Sequence, residues 1–582
     1  MILQALNGYY RRMADEGASD VAPEGFERKA LPFLIILNRQ GEFVSIQDTR
    51  EGEGKKKTGR VFTLPKGVKK ASGIAANLLW DTPNYVFGVP KPDPKKLPEE
   101  LTERARKQQQ CFIKTIREQF PHPEQDEGLQ AVLLFLERGN YAALFNDPTW
   151  PEIVETSPNL TFKLDNDTCL VCQRPASLKG IRSEPEVSGG EDNKQTCLVT
   201  GSKDVPARLH TAIKGVWGAQ SSGANIVSFN LDAFKSYGKE QGKNAPVGKS
   251  AEFAYTTALN ILLEKGSRQR VQTGDCSTVF WAERQTPLED LFADFFGEPT
   301  KENPDQLNAA VRALFTAPAA GAPALDDDFT PFFVLGLAPN AARIAVRFWY
   351  PGTVAEVSRH IRRHFEDCAI AHGSKQPEYL SLFRLLVSMA PQGKSENIPP
   401  NLAGDVMKAI LTGAPYPQTL LASAIRRCRS EREISYPRAA LIKACLTRAG
   451  RYYSTNEQEV TMSLDITNQN AGYLLGRLFA TLERAQESAS PGINATIRDR
   501  FYGAASGTPV AVFPHLMKLK NHHIAKIEHK GQAINLERLI GEIVAKLDAN
   551  SAFPPHLNLQ EQGRFAVGYY HQRQDFFTKK DQ

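Results

Sequence analysis

The sequence predicts an α+β protein: a mixed α/β N-terminal region with antiparallel strands, followed by a C-terminal helical bundle. Three observations carry this expectation. Short apolar runs of strand character (Phe33–Leu37, Arg60–Leu64, Phe332–Leu337 and Ile344–Trp349) all lie before Tyr350. Long helical periodicity fills the chain after Met462, in Tyr473–Glu487, Phe513–His529 and Asn535–Leu547, where a bundle is the economical packing. The chain has 582 residues, more than one hydrophobic core supports, so roughly two to four domains are expected. The expected ranges are 1–375 for the α/β region, 376–461 for a basic helical connector and 462–582 for the bundle.

Met1–Met13 reads as an amphipathic helix with Ile2, Leu3, Leu6, Tyr10 and Met13 on one face. Phe33–Leu37 and Glu42–Ile46 flank Asn38-Arg39-Gln40-Gly41, a hairpin signal. Lysines in Glu53–Lys57 and Lys66–Lys70 surround the strand Arg60–Leu64 and precede the small residues Ser72–Asn77, making a basic edge. There the Asn77 amide either reads a base edge or caps a turn. The proline-rich Val89–Pro98 leads into a helix ending near Phe120, and Gly128–Glu137 is a further helix. Lys179–Asn193 and the Ala/Pro-rich Thr316–Thr330 read as surface loops. In Ile344–Trp349, Ile344, Val346 and Phe348 alternate with Arg347 and Trp349. One face is therefore core, and the other, with Arg343, offers a basic-aromatic surface suited to a nucleic-acid strand.

Net charge is +6, which permits nucleic-acid binding without requiring it, so clustering decides. The strongest basic cluster is Arg426, Arg427, Arg429, Arg432, Arg438, Lys443, Arg448 and Arg451, against Glu431 and Glu433 alone. It lies on expected helices and suits phosphate contacts along a strand. The eight cysteines are scattered rather than dense, as expected of reduced thiols. With no signal-peptide pattern and no long apolar run, a soluble cytoplasmic protein is expected.

The most informative stretch is Cys197–Leu263. Trp217–Gly223 is a small-residue loop whose backbone can come close to a ligand, and it leads into an expected strand, Ala224–Phe229. Ser236–Asn244 is a basic, turn-rich loop, and Ser250 is a fitting N-cap for a helix over Ala251–Glu264. Together the two loops can approach a phosphate backbone or a groove edge. Gly248-Lys249-Ser250 opens a helix as a P-loop does, but the upstream Gly242 is one residue too far away and the preceding segment is polar with a proline.

Cys169, Cys172 and Cys197 suggest three zinc ligands, with Thr200 where a fourth would stand and His210 further on. His360 and His364 lack the glutamate of a zinc-protease helix, Ile361 standing in its place, so a positively charged helix face is expected there. Tyr569–Gln574, near the close of the chain, either closes the bundle or presents an aromatic-basic face. No catalytic constellation emerges, and neither metal nor cofactor is expected. The competing readings are a metal-dependent nuclease, using those cysteines and His210 or distant carboxylates, and a scaffold that binds only protein.

Four segments in order carry a resemblance: MILQALNGYYRRM at the start, KGVWGAQSSGANIVSFN with AFKSYGKEQGKNAPV, FFVLGLAPNAARIAVRFW, and QGRFAVGYYHQRQDFF near the end. They resemble the large subunit of the type I-C CRISPR surveillance complex (Cascade), the Csd-one family, over nearly the whole chain. The resemblance implies a non-catalytic subunit that recognises the PAM in double-stranded DNA, promotes duplex opening and R-loop formation, and recruits the helicase-nuclease. It implies as partners the crRNA-bearing backbone and crRNA-processing subunits, a small subunit and the target duplex. It also implies an internal start for the small subunit, for which Met462 is the candidate. On this reading Lys69, Lys70, Asn77, Gly218, Gln220, Ser221, Ser222 and Gly223 are candidates for PAM-proximal contact. Lys239, Lys243 and Asn244 would hold nearby phosphates, and Arg343, Arg347, Arg426, Arg427 and Arg429 would track a single strand.

Overall fold

The computed structural model describes the chain except residues 17–20, 53–56, 69, 71–72, 96, 183–193, 299–302, 304, 317–324, 326–327, 455–459, 549–551 and 578–582. Lys69, Lys55, Lys56, Ser72 and most of the two expected surface loops therefore lie outside the described residues. The rest is an α+β protein whose small sheets lie before Val354 and whose C-terminal part is helical. Among the described residues no helix is long and apolar enough to cross a membrane. The chain packs as two compact units: Tyr10–Leu209 with Phe229–Ala258, and Met1–Tyr9 with His210–Ser228 and Leu259–Gln582. These units reflect packing. The ranges 1–375, 376–461 and 462–582 are drawn on charge and periodicity.

The smaller unit contains strands β1 (Phe26–Leu31), β2 (Phe33–Leu37), β3 (Phe43–Asp48), β4 (Arg50–Glu51), β5 (Thr58–Pro65), β6 (Trp80–Asp81), β7 (Leu160–Leu164), β8 (Gln195–Thr196) and β9 (Lys203–Asp204). One sheet has the order β3-β2-β7-β6, a second β1-β5-β4, and β8 and β9 pair alone. The β2–β3 hairpin follows the apolar pattern, and its turn is fixed by Asn38 Oδ1, which accepts from the Gln40 and Glu42 amides at 3.0 and 2.9 Å. Every residue of β2 is buried, as a central strand requires. The helices Pro98–Gln119 and Glu127–Arg138 place Phe112, Ile116, Leu129, Val132 and Phe135 in its core. Asp126 caps the second helix through the Gly128 and Leu129 amides and is itself held by Arg174 at 2.9 Å.

The larger unit contains β10 (Arg270–Thr273), β11 (Cys276–Ala282), β12 (Pro331–Asn340) and β13 (Arg343–Thr353) in an antiparallel meander. A bulge between Gly336 and Leu337 pairs Gly336 with Phe348 and Leu337 with Val346, leaving Arg347 as the extra residue. That corrects the expected alternation. Phe348 is buried and Val346 exposed because the bulge between them puts the two on opposite faces, while Ile344, on the Val346 side, is buried where the strand bonds to Asn225. Trp349 is no open platform either: it stacks on Phe333 at 5.6 Å and lies 5.7 Å from the fully buried Trp281.

Helices Ala471–Ala489 and Leu559–Phe577 form the axis of the helical part. They touch backbone to backbone. A Cβ at Gly476 would stand 2.1 Å from the Phe565 carbonyl oxygen, and one at Gly568 would stand 2.2 Å from that of Tyr473. Tyr569, Tyr570, His571 and Gln572 are buried in this contact, so the aromatic-basic segment closes the bundle rather than offering a surface. The same hydrophobic core continues through Tyr436–Tyr453 and Gln418–Glu431, and a Cβ at Gly563 would meet Ile442, Leu446 and Leu421 at 3.3 to 3.5 Å.

Two further expectations change. Ala224–Phe229 is not a strand: only Ala224 and Asn225 pair, in isolated bridges to Ile213 and Arg343. Ser250 is not the N-cap, because the helix starts at Lys249. The Ser250 amide donates instead to Asp204 Oδ2 at 3.3 Å, a capping carboxylate brought from β9.

Candidate nucleic-acid interface

In the larger unit, residues 213–224 form a closed loop. The Ile213 and Ala224 backbones exchange both hydrogen bonds, at 2.8 and 2.9 Å. Within it, the Ala219 amide donates to the Val216 carbonyl and the Gly223 amide to the Gln220 carbonyl. Gly223 has φ +92°, and a Cβ there would lie 2.8 Å from the Ile213 carbonyl, so only glycine closes the loop this way. The loop is bolted to the sheet: Trp217 N–H donates to Ser277 Oγ at 3.0 Å, and Asn225 exchanges backbone bonds with Ala342 and Ile344. Gly218 faces Pro339, where a Cβ would approach to 3.3 Å. The loop thus abuts the β12–β13 turn, which brings Arg343 to the same edge as Gly218–Gly223. Gln220, Ser221 and Ser222 are exposed, as is Lys214. A rigid rim of small residues with a lysine is the arrangement through which a backbone approaches phosphates and base edges.

In the smaller unit, Lys239 and Lys243 are exposed on the loop between Phe234 and Pro246. Asn244 braces that loop: its amide donates to the Lys239 and Gln241 carbonyls, and its oxygen accepts from the Ser236 amide at 3.0 Å. The Lys70–Asn77 edge is used differently. Asn77 is only 5% exposed, and its Oδ1 accepts from the Val68 amide at 2.9 Å. Lys70 Nζ sits 2.6 Å from Asp81 and 3.5 Å above the Tyr85 ring. Both side chains therefore hold their own loop, and the turn-capping alternative describes Asn77.

The arginine cluster divides in two. Arg426 and Arg429 are exposed on Gln418–Glu431, Arg432 caps that helix in the left-handed region, and Arg427 is paired with Glu431. Arg438, Lys443 and Arg448 turn inward, and Arg451 reaches in from an exposed position. Arg438 is buried and also reaches Glu431, and Arg448 and Arg451 grip Asp367 at 3.0 and 2.6 Å. Lys443 donates to the Asp367 carbonyl at 3.0 Å, so these cations lock helices together rather than meeting a strand. Arg347 similarly pairs with Asp275 at 2.9 Å.

His364 is not part of a positive face. It is buried, its Nδ1 lies 2.6 Å from the Tyr416 hydroxyl, and burial beside Arg448 pulls the imidazole down to about 3. His571, buried against Tyr473 in the bundle, is pulled down by burial and by Lys443 to about 4. Between pH ~6.5 and about 4 the unfolded chain binds these protons and the folded chain does not. Stability should therefore fall as pH drops through that window, by up to ~1.4 kcal/mol per pH unit for each histidine. Urea unfolding at a series of pH values checks this, and a flat profile would contradict it.

Among the described residues no group of three or more His, Cys, Asp or Glu side chains is arranged to hold a metal. Burial pushes the Cys172 thiol up to about 12, and Cys197 Sγ accepts from the Val199 and Gly248 amides at 3.4 and 3.2 Å.

An α+β chain with two exposed lysine-bearing loops and an exposed arginine helix belongs to a class the fold alone does not name. The family comparison does. Residues 6–577 match the model of the CRISPR-associated protein (Cas_Csd1) family, and the chain belongs to that family. No curated protein matches it.

Proposed function

We propose that this chain is the non-catalytic large subunit of a CRISPR RNA-guided DNA surveillance complex of type I-C, acting in the cytoplasm. It recognises the PAM in duplex DNA, promotes duplex opening and R-loop formation, and recruits the helicase-nuclease. The observation that carries the reading is the fixed, glycine-closed loop of residues 213–224 with Gln220, Ser221 and Ser222 exposed beside Arg343, in a chain of this family. Guide pairing supplies long sequence specificity in such systems, so the protein needs to read only a short tag, which a small rigid loop suits. Gly218, Gln220, Ser221, Ser222 and Gly223 make the groove contact. Lys239 and Lys243 hold phosphates, and Arg343, Arg426 and Arg429 follow a displaced strand.

A salt series tests the electrostatic part. Replacing Lys239 and Lys243 by alanine should flatten the slope of log affinity against log salt for duplex DNA by roughly 2 units, about 0.9 for each phosphate no longer neutralised. An unchanged slope would remove both lysines from the interface. Hydrolysis of DNA, RNA or ATP by the purified chain would remove the non-catalytic reading.

The ranges 1–375, 376–461 and 462–582 are proposed as PAM and duplex recognition, basic connector, and bundle. Met462 is proposed as an internal start whose product, Met462–Gln582, is the small subunit. That product would keep the Gly476–Gly568 crossing but uncover the face that meets Leu421, Ile442 and Leu446. Recoding Met462 should abolish a small C-terminal product, and its persistence would exclude this start.

A further inference from the structure

Trp217 is 64% exposed at the head of the closed loop. The other four tryptophans are covered: Trp80, Trp150 and Trp281 are buried, and Trp349 is stacked on Phe333. Exposure alone decides nothing, since Tyr237, Phe329, Tyr452, Tyr453 and Phe577 are exposed too; what sets Trp217 apart is its fixed base within the candidate loop. The backbone under the ring is fixed by Ser277 on one side, and a Cβ at Gly215 would stand 2.5 Å from the Leu263 carbonyl oxygen on the other. The ring is thus presented on a rigid base, with little ordering left to do on binding. Its neighbours Gly215 and Gly218 carry no side chain to cover its faces, and Lys214, three residues before it, is exposed and cationic.

We propose that Trp217 is a stacking residue for one unpaired nucleobase, with Lys214 against the adjoining phosphate. This rests on the reading that the loop contacts nucleic acid, and it adds that the contact includes a base outside a duplex. An aromatic face accepts any base, and a neighbouring cation holds the backbone in register, which is the pairing of features that single-strand binding uses. An exposed tryptophan can also anchor a protein partner, and the oligothymidylate titration separates that case.

The covered state of the other four rings makes Trp217 the natural fluorescence reporter. Two single-stranded probes are titrated onto the full chain: an oligothymidylate, and an abasic oligomer of equal length that keeps the sugar-phosphate backbone. Binding is followed in parallel by polarisation of an end label. Quenching of tryptophan emission by the oligothymidylate and not by the bound abasic strand is the expected result. Trp217→Ala should lower oligothymidylate affinity about ten-fold or more, while Trp217→Phe, which keeps a ring, stays close to wild type. If the oligothymidylate binds without quenching and Trp217→Ala binds it equally well, stacking is excluded while the phosphate contacts stand. Equal quenching by the abasic strand also excludes it. Absence of any binding at low salt overturns the underlying nucleic-acid reading instead.

Discussion

Asp367→Ala is expected to destabilise the larger unit by about 3–5 kcal/mol, the range for removing one partner of a buried ion pair. Asp367 is 1% exposed, and it receives Arg448, itself 2% exposed, at 3.0 Å and Arg451 at 2.6 Å. The Arg448 guanidinium also lies 4.4 Å over the Tyr416 ring. Without the carboxylate, the buried Arg448 guanidinium and the nearby Lys443 share a dry site with no counter-charge, while Arg451, 35% exposed, keeps contact with water. The cost is therefore that of stranded cations, not of one missing hydrogen bond. Asp367→Leu combined with Arg448→Leu should recover much of the stability, because replacing both partners leaves less charge unpaired. Urea unfolding of the three variants checks the series. A double variant no more stable than Asp367→Ala would contradict the account.

Gly476→Ala is the second large effect. Alanine is the better helix former by about 1 kcal/mol. Here its methyl would need to occupy space 2.1 Å from the Phe565 carbonyl oxygen and 2.8 Å from the Tyr569 nitrogen. Backbone cannot rotate aside, so the helices Ala471–Ala489 and Leu559–Phe577 must separate, and the packing that organises the bundle loosens along its length. A net loss of about 3 kcal/mol is expected, at the upper end for overpacking. Gly568→Ala should behave alike, since its methyl would meet the Tyr473 carbonyl oxygen at 2.2 Å. Gly531 and Gly541, with open space around them, are the controls, where alanine should stabilise or do nothing.

Local rules made much of this fold legible. The β2–β3 hairpin, the helix ending at Gln119 and the long C-terminal helices fall within a few residues of where periodicity and turn chemistry put them. What was illegible depended on partners far away in sequence. The carboxylate capping at Ser250 comes from Asp204, 46 residues earlier. Arg448 reads as a surface cation until Asp367, 81 residues upstream, is placed against it. Val346 reads as core until one bulge resets the strand. At the candidate interface the small-residue loop was visible, but its closure by Gly223 against the Ile213 backbone was not. The exposure of Trp217 was not visible, because a tryptophan in an apolar-tinged loop reads equally well as an anchor. The signal available was its place between Gly215 and Gly218, which bring no side chain to cover it.

The most direct test of the central claim exchanges the few base pairs beside the target and measures duplex binding by the assembled complex, with wild-type chain and with Gln220→Ala. The account predicts that the wild type weakens at least about ten-fold when a recognised pair is changed, as a mismatch at a specifically read position entails, and that Gln220→Ala shows a smaller difference. Equal affinity of the wild-type complex for every flanking sequence would contradict it.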